Sequence, residues 1–209
     1  MVGIVTPIMS LGMQAAILRN FFKKQNTDFE FPSYVFNVLV ISVVISFSVG
    51  IIFDIFSNFI AGISSFPKQW LFAILIVSFG QFINSVLLSV WQAKFRAISY
   101  GVFKVLLSIT NLGISVILIV WLGYHWEGRI IGYLTAVSLF GLLALYFLYS
   151  NNYVKFEIRK DYIKHALKFG IPLVPHMIGN YLINMIDRFF ITNMVSLSET
   201  GIYTVGYQI

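Results

Sequence analysis

Six long apolar blocks limit what this chain can fold into more than any other feature. They cover residues 2–22, 34–53, 70–92, 98–122, 129–149 and 169–195. A segment that crosses the hydrocarbon of a bilayer needs about 20 apolar residues. Its backbone polar groups must be satisfied within the segment, which an α-helix achieves. The blocks therefore predict an all-α fold, a polytopic membrane helix bundle.

Composition supports the membrane prediction. Hydrophobic residues make up 58% of the chain and charged residues only 11%, whereas charged residues run at about 25% in soluble domains. The net charge of +6 would allow a nucleic-acid partner, but the Lys and Arg residues lie in short clusters between apolar blocks. We therefore expect no nucleic acid as a partner. The chain has no cysteine, which excludes disulfides and thiolate metal sites.

The loops between the blocks predict the orientation. On one side they carry ten basic residues: Arg19, Lys23, Lys24, Lys94, Arg96, Lys155, Arg159, Lys160, Lys164 and Lys168. The opposite side has two, Lys68 and Arg129. By the positive-inside rule the ten-charge side is cytoplasmic, so Met1 lies outside. Because the chain has no cleavable signal segment, we expect one further span before Met1.

The blocks divide the chain into three parts. Residues 1–150 form an N-terminal lobe of five spans, 151–168 a linker, and 169–209 the first one to two spans of a second, truncated lobe. Apolar side chains recur in and just after the linker at helical spacing, at Val154, Ile158, Tyr162, Ala166 and Phe169. The spacing predicts an amphipathic helix on the cytoplasmic membrane surface. An exposed, solvated helix is the alternative.

A polar stripe follows the last complete span. His176, Asn180, Asn184 and Arg188 are spaced by four residues, and Asp187 lies three beyond Asn184. In a helix such residues share one face, and a polar face within a membrane lies against protein or a water-filled cavity. Neighbouring residues point about 100° apart, so Asp187 and Arg188 need not pair with each other and can each have a partner on another helix. A structural ion pair and direct ligand contact both fit the pattern.

Polar residues also occur in other blocks. The members are Thr6, Ser10 and Gln14, then Ser78, Gln81, Asn84, Ser85 and Gln92, then Lys104, Ser108, Asn111 and Ser115. Most Ser and Thr residues in membrane helices serve as contacts between helices. Lys104 lies about 10 Å into its block, where it either faces a cavity or extends its ammonium to the interface.

Proline and glycine predict local features of the spans. Pro172 and Pro175 remove two backbone donors and predict a bend or broken turn, and Pro7 would act similarly in the first block. Gly128 and Gly132 form a GxxxG pattern, which favours close packing against another helix.

Motifs for catalysis are absent from the sequence. It contains no HExxH, nucleophile elbow, P-loop or pair of carboxylates at helical spacing within a span. The histidines, His125, His165 and His176, fall in an outer loop, the linker and a span, so a shared metal site is not expected. We therefore expect neither enzyme activity nor a cofactor.

Five short stretches carry a resemblance to a known family. They are a Gly-x-Pro turn at 170–172, an Asp-Arg pair at 187–188, Gly-Ile-Tyr at 201–203, LGYHWEGRIIGYL at 122–134 and LRNFF at 18–22. Together they resemble the Wzx-type flippases, polysaccharide exporters of the multidrug/oligosaccharidyl-lipid/polysaccharide superfamily. The first three are similar to the start of that family's second lobe, the fourth to the loop between its fifth and sixth spans, and the last to the end of its second span.

The resemblance implies two lobes around a central cavity that opens alternately to each side of the bacterial inner membrane. It implies export of an oligosaccharide carried on undecaprenyl diphosphate, in the company of membrane lipid and other polysaccharide-assembly proteins. Implied anion contacts are Arg188 and Lys104, and implied sugar contacts are Asn180, Asn184 and Tyr181. His176 or Asp187 would titrate if ion or proton flow is coupled to export.

Other functions stay open from the residues. A cation-coupled drug exporter of the same superfamily would favour acidic residues deep in the cavity, whereas here the cations Lys104 and Arg188 outnumber Asp187. An integral membrane glycosyltransferase or polymerase would need acidic groups at the outer side, such as Asp54 or Glu127. A nonfunctional fragment is the last alternative, because one lobe cannot enclose a two-lobe cavity.

Overall fold

The computed structural model describes residues 2–22, 29–57 and 70–206, and in this part of the chain it contains helices and no strand. The helices are α1 (Val2–Ser10), α2 (Met13–Phe22), α3 (Phe31–Ile55), α4 (Leu71–Ala93), α5 (Ala97–Val116), α6 (Trp126–Ser150), α7 (Lys160–Gly170), α8 (Leu173–Met194) and α9 (Leu197–Gly206). A π-helical turn, Ile117–Trp121, extends α5. The prediction of an all-α membrane bundle is confirmed.

Four of the described helices are long and apolar enough to cross a membrane. They are α3, α4, α5 with its π-helical turn, and α6, which match the second to fifth apolar blocks. In the most apolar part of α4, 61% of the residues are buried, against 17% in α3 and in α5. Thus α4 forms the centre of the bundle, packed on α1, α2 and α6. The outer helices present apolar surface, such as Phe47 and Ile109, to lipid.

The first apolar block is two helices and not one. Leu11 and Gly12, between α1 and α2, have φ values of +43° and +62°, in the left-handed region that interrupts a right-handed helix. Glycine adopts such a φ without strain, so the break falls at Gly12 and not at Pro7, which stays inside α1. The Gly12 N–H donates to the Ser10 hydroxyl at 3.4 Å.

The linker is helical only in its second half. Residues 153–159 run without helix and α7 begins at Lys160, so the predicted helix does not extend to Val154 and Ile158. From Lys160 onward the segment is helical, as predicted, and its position on the membrane surface stays a prediction. Tyr162 and Ala166 direct the apolar face of α7 onto the core that it shares with α2 and α3. That face is covered by protein.

Two breaks in the chain lie against each other. The turn at Ile171–Pro172 separates α7 from α8, as the two prolines predict. At Gly170 an added Cβ would overlap the carbonyl oxygen of Leu11, so the backbone before this turn touches the break between α1 and α2. From there α8 packs on α1 and α9. Helix α8 carries the polar stripe and is not among the four helices that are both long and apolar enough to cross a membrane. That α8 crosses the membrane therefore stays a prediction.

Candidate functional site

The predicted polar stripe lies on a single helix. α8 runs from Leu173 to Met194 without interruption, so His176, Asn180 and Arg188 share a face as the spacing predicts. His176 and Asn180 are exposed and Arg188 is half-buried. Asn184 belongs to the same helix, but its side chain lies outside the described part of the structure.

Asp187 and Arg188 point to different neighbours. The Tyr203 hydroxyl on α9 donates to Asp187 Oδ2 at 3.1 Å. The Nη1 of Arg188 lies 3.9 Å from the sulfur of Met185. Asp187 thus has a partner on another helix, and that partner is Tyr203. Tyr203 is the tyrosine of the Gly-Ile-Tyr stretch, so two motifs of the resemblance are in contact.

Tyr181 is a packing residue between helices. Its ring lies against Gly3 of α1, where an added Cβ would overlap the ring carbons. This contact helps to bring α8, the first helix after the linker, against the beginning of the described chain. A sugar contact by Tyr181 stays a prediction, and it would involve only the part of the ring that Gly3 leaves uncovered.

Lys104 lies apart from the α8 stripe. It is exposed on α5, which packs on α6 and α4, whereas α8 packs on α1, α7 and α9. The Lys104 ammonium stands 5.3 Å from the centroid of the Tyr100 ring, within the range of a cation–π contact. Tyr100 is one turn nearer the basic loops, so the lysine extends in the direction expected for snorkelling. The described fold thus places the two predicted anion contacts on different faces of the bundle.

A polar contact in the interior joins three helices. Thr6 of α1 donates to Gln81 Oε1 of α4 at 3.1 Å, and the amide nitrogen of Gln81 donates to the Tyr133 hydroxyl of α6. Thr6 and Gln81 thus act as contacts between helices. The sequence did not predict the contact of Tyr133, because nothing in the pattern distinguishes this tyrosine from the other tyrosines of the apolar blocks.

An ionic cluster attaches residues 153–159 to the start of α3. We call it the α3 clamp: Glu30, Ser33, Asn37, Lys155, Glu157 and Arg159. Lys155 Nζ lies 2.6 Å from Glu30 Oε2, and Arg159 Nε lies 2.7 Å from Glu157 Oε1. The buried Asn37 amide donates to the Glu157 carbonyl at 2.8 Å and accepts the Arg159 N–H at 3.0 Å.

The α3 clamp shifts the titration of its carboxylates. Hydrogen bonding from Arg159 is the main cause that lowers the pKa of Glu157 from 4.5 to about 2. Hydrogen bonds from Lys155 and Ser33 lower the pKa of Glu30, and the bond to Glu30 raises the pKa of Lys155. Both carboxylates are therefore ionised at neutral pH and hold the segment in place.

The sequence carried an overlooked signal for this cluster. In VKFEIR, 154–159, apolar and charged residues alternate strictly, and a period of two is typical of an extended segment with one covered face. Val154 and Ile158 also have helical spacing with Tyr162. Residues 154–159 therefore fit both a helical and an extended pattern, and the sequence alone does not choose between them.

Comparison with known proteins decides the family. The sequence profile of the family described as "Polysaccharide biosynthesis protein" matches residues 1–209, which is the whole chain. The chain belongs to the polysaccharide biosynthesis protein family. With its four helices of membrane-spanning length and hydropathy, this family member is a multi-pass membrane protein.

Two relatives of this family member come from Haemophilus influenzae (strain ATCC 51907 / DSM 11121 / KW20 / Rd). "Lsg locus putative protein 1" is 28% identical over 145 residues, covering 66% of this chain and 35% of the relative. An "Uncharacterized membrane protein" is 28% identical over 147 residues, covering 68% of this chain and 36% of the relative. The chain thus spans little more than a third of these curated relatives. No solved structure matches it.

Proposed function

We propose that this chain forms part of a flippase that moves an oligosaccharide, linked to undecaprenyl diphosphate, across the bacterial inner membrane. The observation that carries the proposal is the polar stripe of α8 in a member of the polysaccharide biosynthesis protein family. The stripe combines a half-buried guanidinium, Arg188, with amide and imidazole groups, Asn180 and His176. Such groups suit a diphosphate and its sugars.

The physical demands of the task favour this reading. An isolated charged or polar group is costly to bury in hydrocarbon, so a lipid-linked sugar needs a polar path while its polyprenyl tail stays in lipid. A stripe of hydrogen-bonding residues along one helix face provides such a path. No covalent bond changes, so the task needs no catalytic group and no cofactor.

The contacts of α8 support movement by alternating access. α8 follows a proline turn, and that turn lies against the break between α1 and α2. Interrupted helices that meet near a site are a recurring feature of transporters that rock between two states. In this proposal Arg188 and Lys104 bind the diphosphate at different stages, because the fold keeps them on separate faces.

The experiment replaces Arg188 at the native locus with Ala and, separately, with Lys. Membrane abundance, surface polysaccharide and lipid-linked oligosaccharide in the cytoplasmic leaflet are then measured. We expect Arg188→Ala to reduce export at least tenfold and to accumulate the lipid-linked precursor, while Arg188→Lys keeps part of the export because it keeps the charge.

The matched control is Lys168→Ala, which removes one exposed charge at the end of α7 and should leave export unchanged. Full export by Arg188→Ala at normal abundance would eliminate the role of Arg188. Loss of export without accumulation of the precursor would instead indicate a step of synthesis and would refute the flippase proposal.

A further inference from the structure

Arg129 is a cation whose guanidinium is held in place but not neutralised. It lies in the first turn of α6, where its Nη1 donates to Asn111 Oδ1 at 2.9 Å and to Ser115 Oγ at 3.1 Å. Both acceptors are neutral. Among the residues that the structure describes, no carboxylate lies within 4 Å of the Arg129 guanidinium.

The two hydrogen bonds leave one edge of the guanidinium available. Arginine has five N–H donors, and the two on Nη1 face Asn111 and Ser115. The Nε donor and the two Nη2 donors have no bond to a described residue, and the residue is exposed. This Nε–Nη2 edge is the planar fork that matches a carboxylate or phosphate with two parallel bonds.

The side chain points into the membrane and not toward the interface. Gly128 lies beside Leu118, and Gly132 lies beside Ser115, so the backbone of Arg129 is level with about residue 118 of the neighbouring helix. Its guanidinium reaches Asn111 and Ser115, which are about 9 to 15 Å below Trp121 at 1.5 Å per residue. Arginine near a helix end normally extends outward to water.

Aromatic residues mark the interface from which Arg129 turns away. The rings of Trp70 and Trp126 meet with centroids 6.1 Å apart, and Trp121 is 83% exposed. Tryptophan is enriched at the boundary between membrane and water. A charge well inside such a belt is costly unless it faces water, a partner or an anion, and an anionic ligand on the open edge of the Arg129 guanidinium would meet that demand.

Arg129 stands at one end of a polar stripe on α5. Lys104, Ser108, Asn111 and Ser115 follow at spacings of four, three and four and so lie on one face. Lys104 is about 10 Å from Asn111 along the helix and nearer the basic loops. Two cations thus lie along one face, at different depths, with hydroxyl and amide groups between them.

We propose that the Nε–Nη2 edge of Arg129, oriented by Asn111 and Ser115, binds the phosphate of a lipid headgroup in the half of the membrane opposite the basic loops. The inference goes beyond the α8 site and rests on the proposed function for its preferred ligand, a polyprenyl diphosphate. A free phosphate or diphosphate has the same chemistry, and the test separates the two sources.

The test measures equilibrium binding to the purified full chain in phosphatidylcholine nanodiscs. The probes are undecaprenyl diphosphate added to the nanodiscs and inorganic pyrophosphate added to the buffer. Arg129→Ala, Arg129→Gln and Arg129→Lys are compared with the parent chain. We expect Arg129→Gln and Arg129→Ala to weaken lipid binding tenfold or more, and Arg129→Lys to fall between, because it keeps the charge but loses the fork.

Controls separate binding from folding and from transport. Lys160→Ala removes an exposed charge on α7 and should leave the affinity unchanged. Thermal unfolding of each variant reports any structural role, and Arg129→Gln keeps a neutral donor for Asn111 and Ser115. The affinity is measured without any transport step. The result for Arg129 therefore stays valid even if the flippase proposal fails.

The outcomes decide between the sources. Two results together support the headgroup site: Arg129→Gln binds the lipid more weakly than the parent chain, and pyrophosphate does not displace the lipid from the parent chain. If millimolar pyrophosphate displaces the lipid and itself loses affinity in Arg129→Gln, the ligand is a free diphosphate and the lipid assignment is overturned. Unchanged lipid affinity in a folded Arg129→Gln overturns the site altogether.

Discussion

The Tyr203 hydroxyl of α9 donates a hydrogen bond to Asp187 Oδ2 of α8 at 3.1 Å. The two residues are sixteen positions apart and belong to successive helices that pack on each other. The bond fixes how α9 returns along α8, and it orients the carboxylate that precedes Arg188. A residue of the polar stripe is thereby tied to the helix that follows it.

Tyr203→Phe should loosen the pairing of α8 and α9. The change removes one hydrogen bond to a carboxylate and leaves the ring, so we expect a loss of about 1 kcal/mol in unfolding free energy. The measurement is thermal unfolding in nanodiscs together with hydrogen exchange of the α9 amides. Tyr146→Phe, on an exposed face of α6, is the control and should change neither. Equal protection of α9 in Tyr203→Phe and the parent chain would contradict the prediction.

Gly132→Ala should separate α5 from α6. An added Cβ would lie 2.8 Å from the backbone nitrogen of Ser115 and 2.9 Å from its Cα, so backbone would have to move. Overpacking of this kind typically costs about 1–3 kcal/mol. We expect a lower unfolding temperature and, since Ser115 shifts, a weaker hold on Arg129.

Gly113→Ala provides the matched comparison for that change. It is the same substitution on the same pair of helices, but nothing lies within 4 Å of the added Cβ. Alanine also has the higher helix propensity, so its unfolding temperature should be equal or higher. If Gly113→Ala and Gly132→Ala unfold at the same temperature, close packing at the GxxxG pattern is not what holds α5 to α6.

Acid should release the segment 153–159 from α3. The folded-state pKa of Glu157 is lowered from 4.5 to about 2, and that of Glu30 is lowered as well. A lowered folded pKa stabilises the clamp above the unfolded value, and this stabilisation is lost as pH falls from about 4.5 toward about 2. The segment should therefore stay attached at neutral pH and come free between those values.

The chain lacks cysteine, which makes the measurement direct. Spin labels on cysteines introduced at Ile158 and Tyr146, both exposed, report the distance between the segment and α6. The distribution should be narrow at pH 7 and broad at pH 2. Glu157→Gln should broaden it already at pH 7, whereas Asp161→Asn, outside the clamp, should behave as the parent. A narrow distribution at every pH would show that the clamp does not depend on its carboxylates.

The sequence and the structure agree where a pattern is local. The blocks at 34–53, 70–92, 98–122 and 129–149 became α3 to α6 with ends shifted by a few residues, and the proline turn at Pro172 was correctly placed. The first block misled because its hydropathy is continuous across the left-handed turn at Leu11 and Gly12. A backbone angle at two residues leaves almost no trace in an apolar pattern.

The candidate site was predictable in part. The α8 stripe follows from spacing alone, but the partner of Asp187 does not, and neither does the contact of Tyr181 with Gly3. The sequence grouped Lys104 with Arg188 through a resemblance, whereas the helix packing keeps them apart. The sequence placed Arg129 only in an outer loop. The direction of its long side chain depends on the hydrogen-bond acceptors of the neighbouring helix, which the sequence does not show.

By itself the sequence determined that this protein is a bundle of membrane helices, where most of them run and which face of α8 is polar. These properties depend on hydrophobicity and on backbone hydrogen bonds between residues four apart, so they are written in short stretches of chain. The tertiary structure decided the α3 clamp, the contact of Gly170 with Leu11 at the break between α1 and α2, and the direction of the Arg129 side chain toward the membrane interior. Each joins groups from separate helices or loops, many of them more than 100 residues apart, and their free energy depends on geometry that no local pattern records.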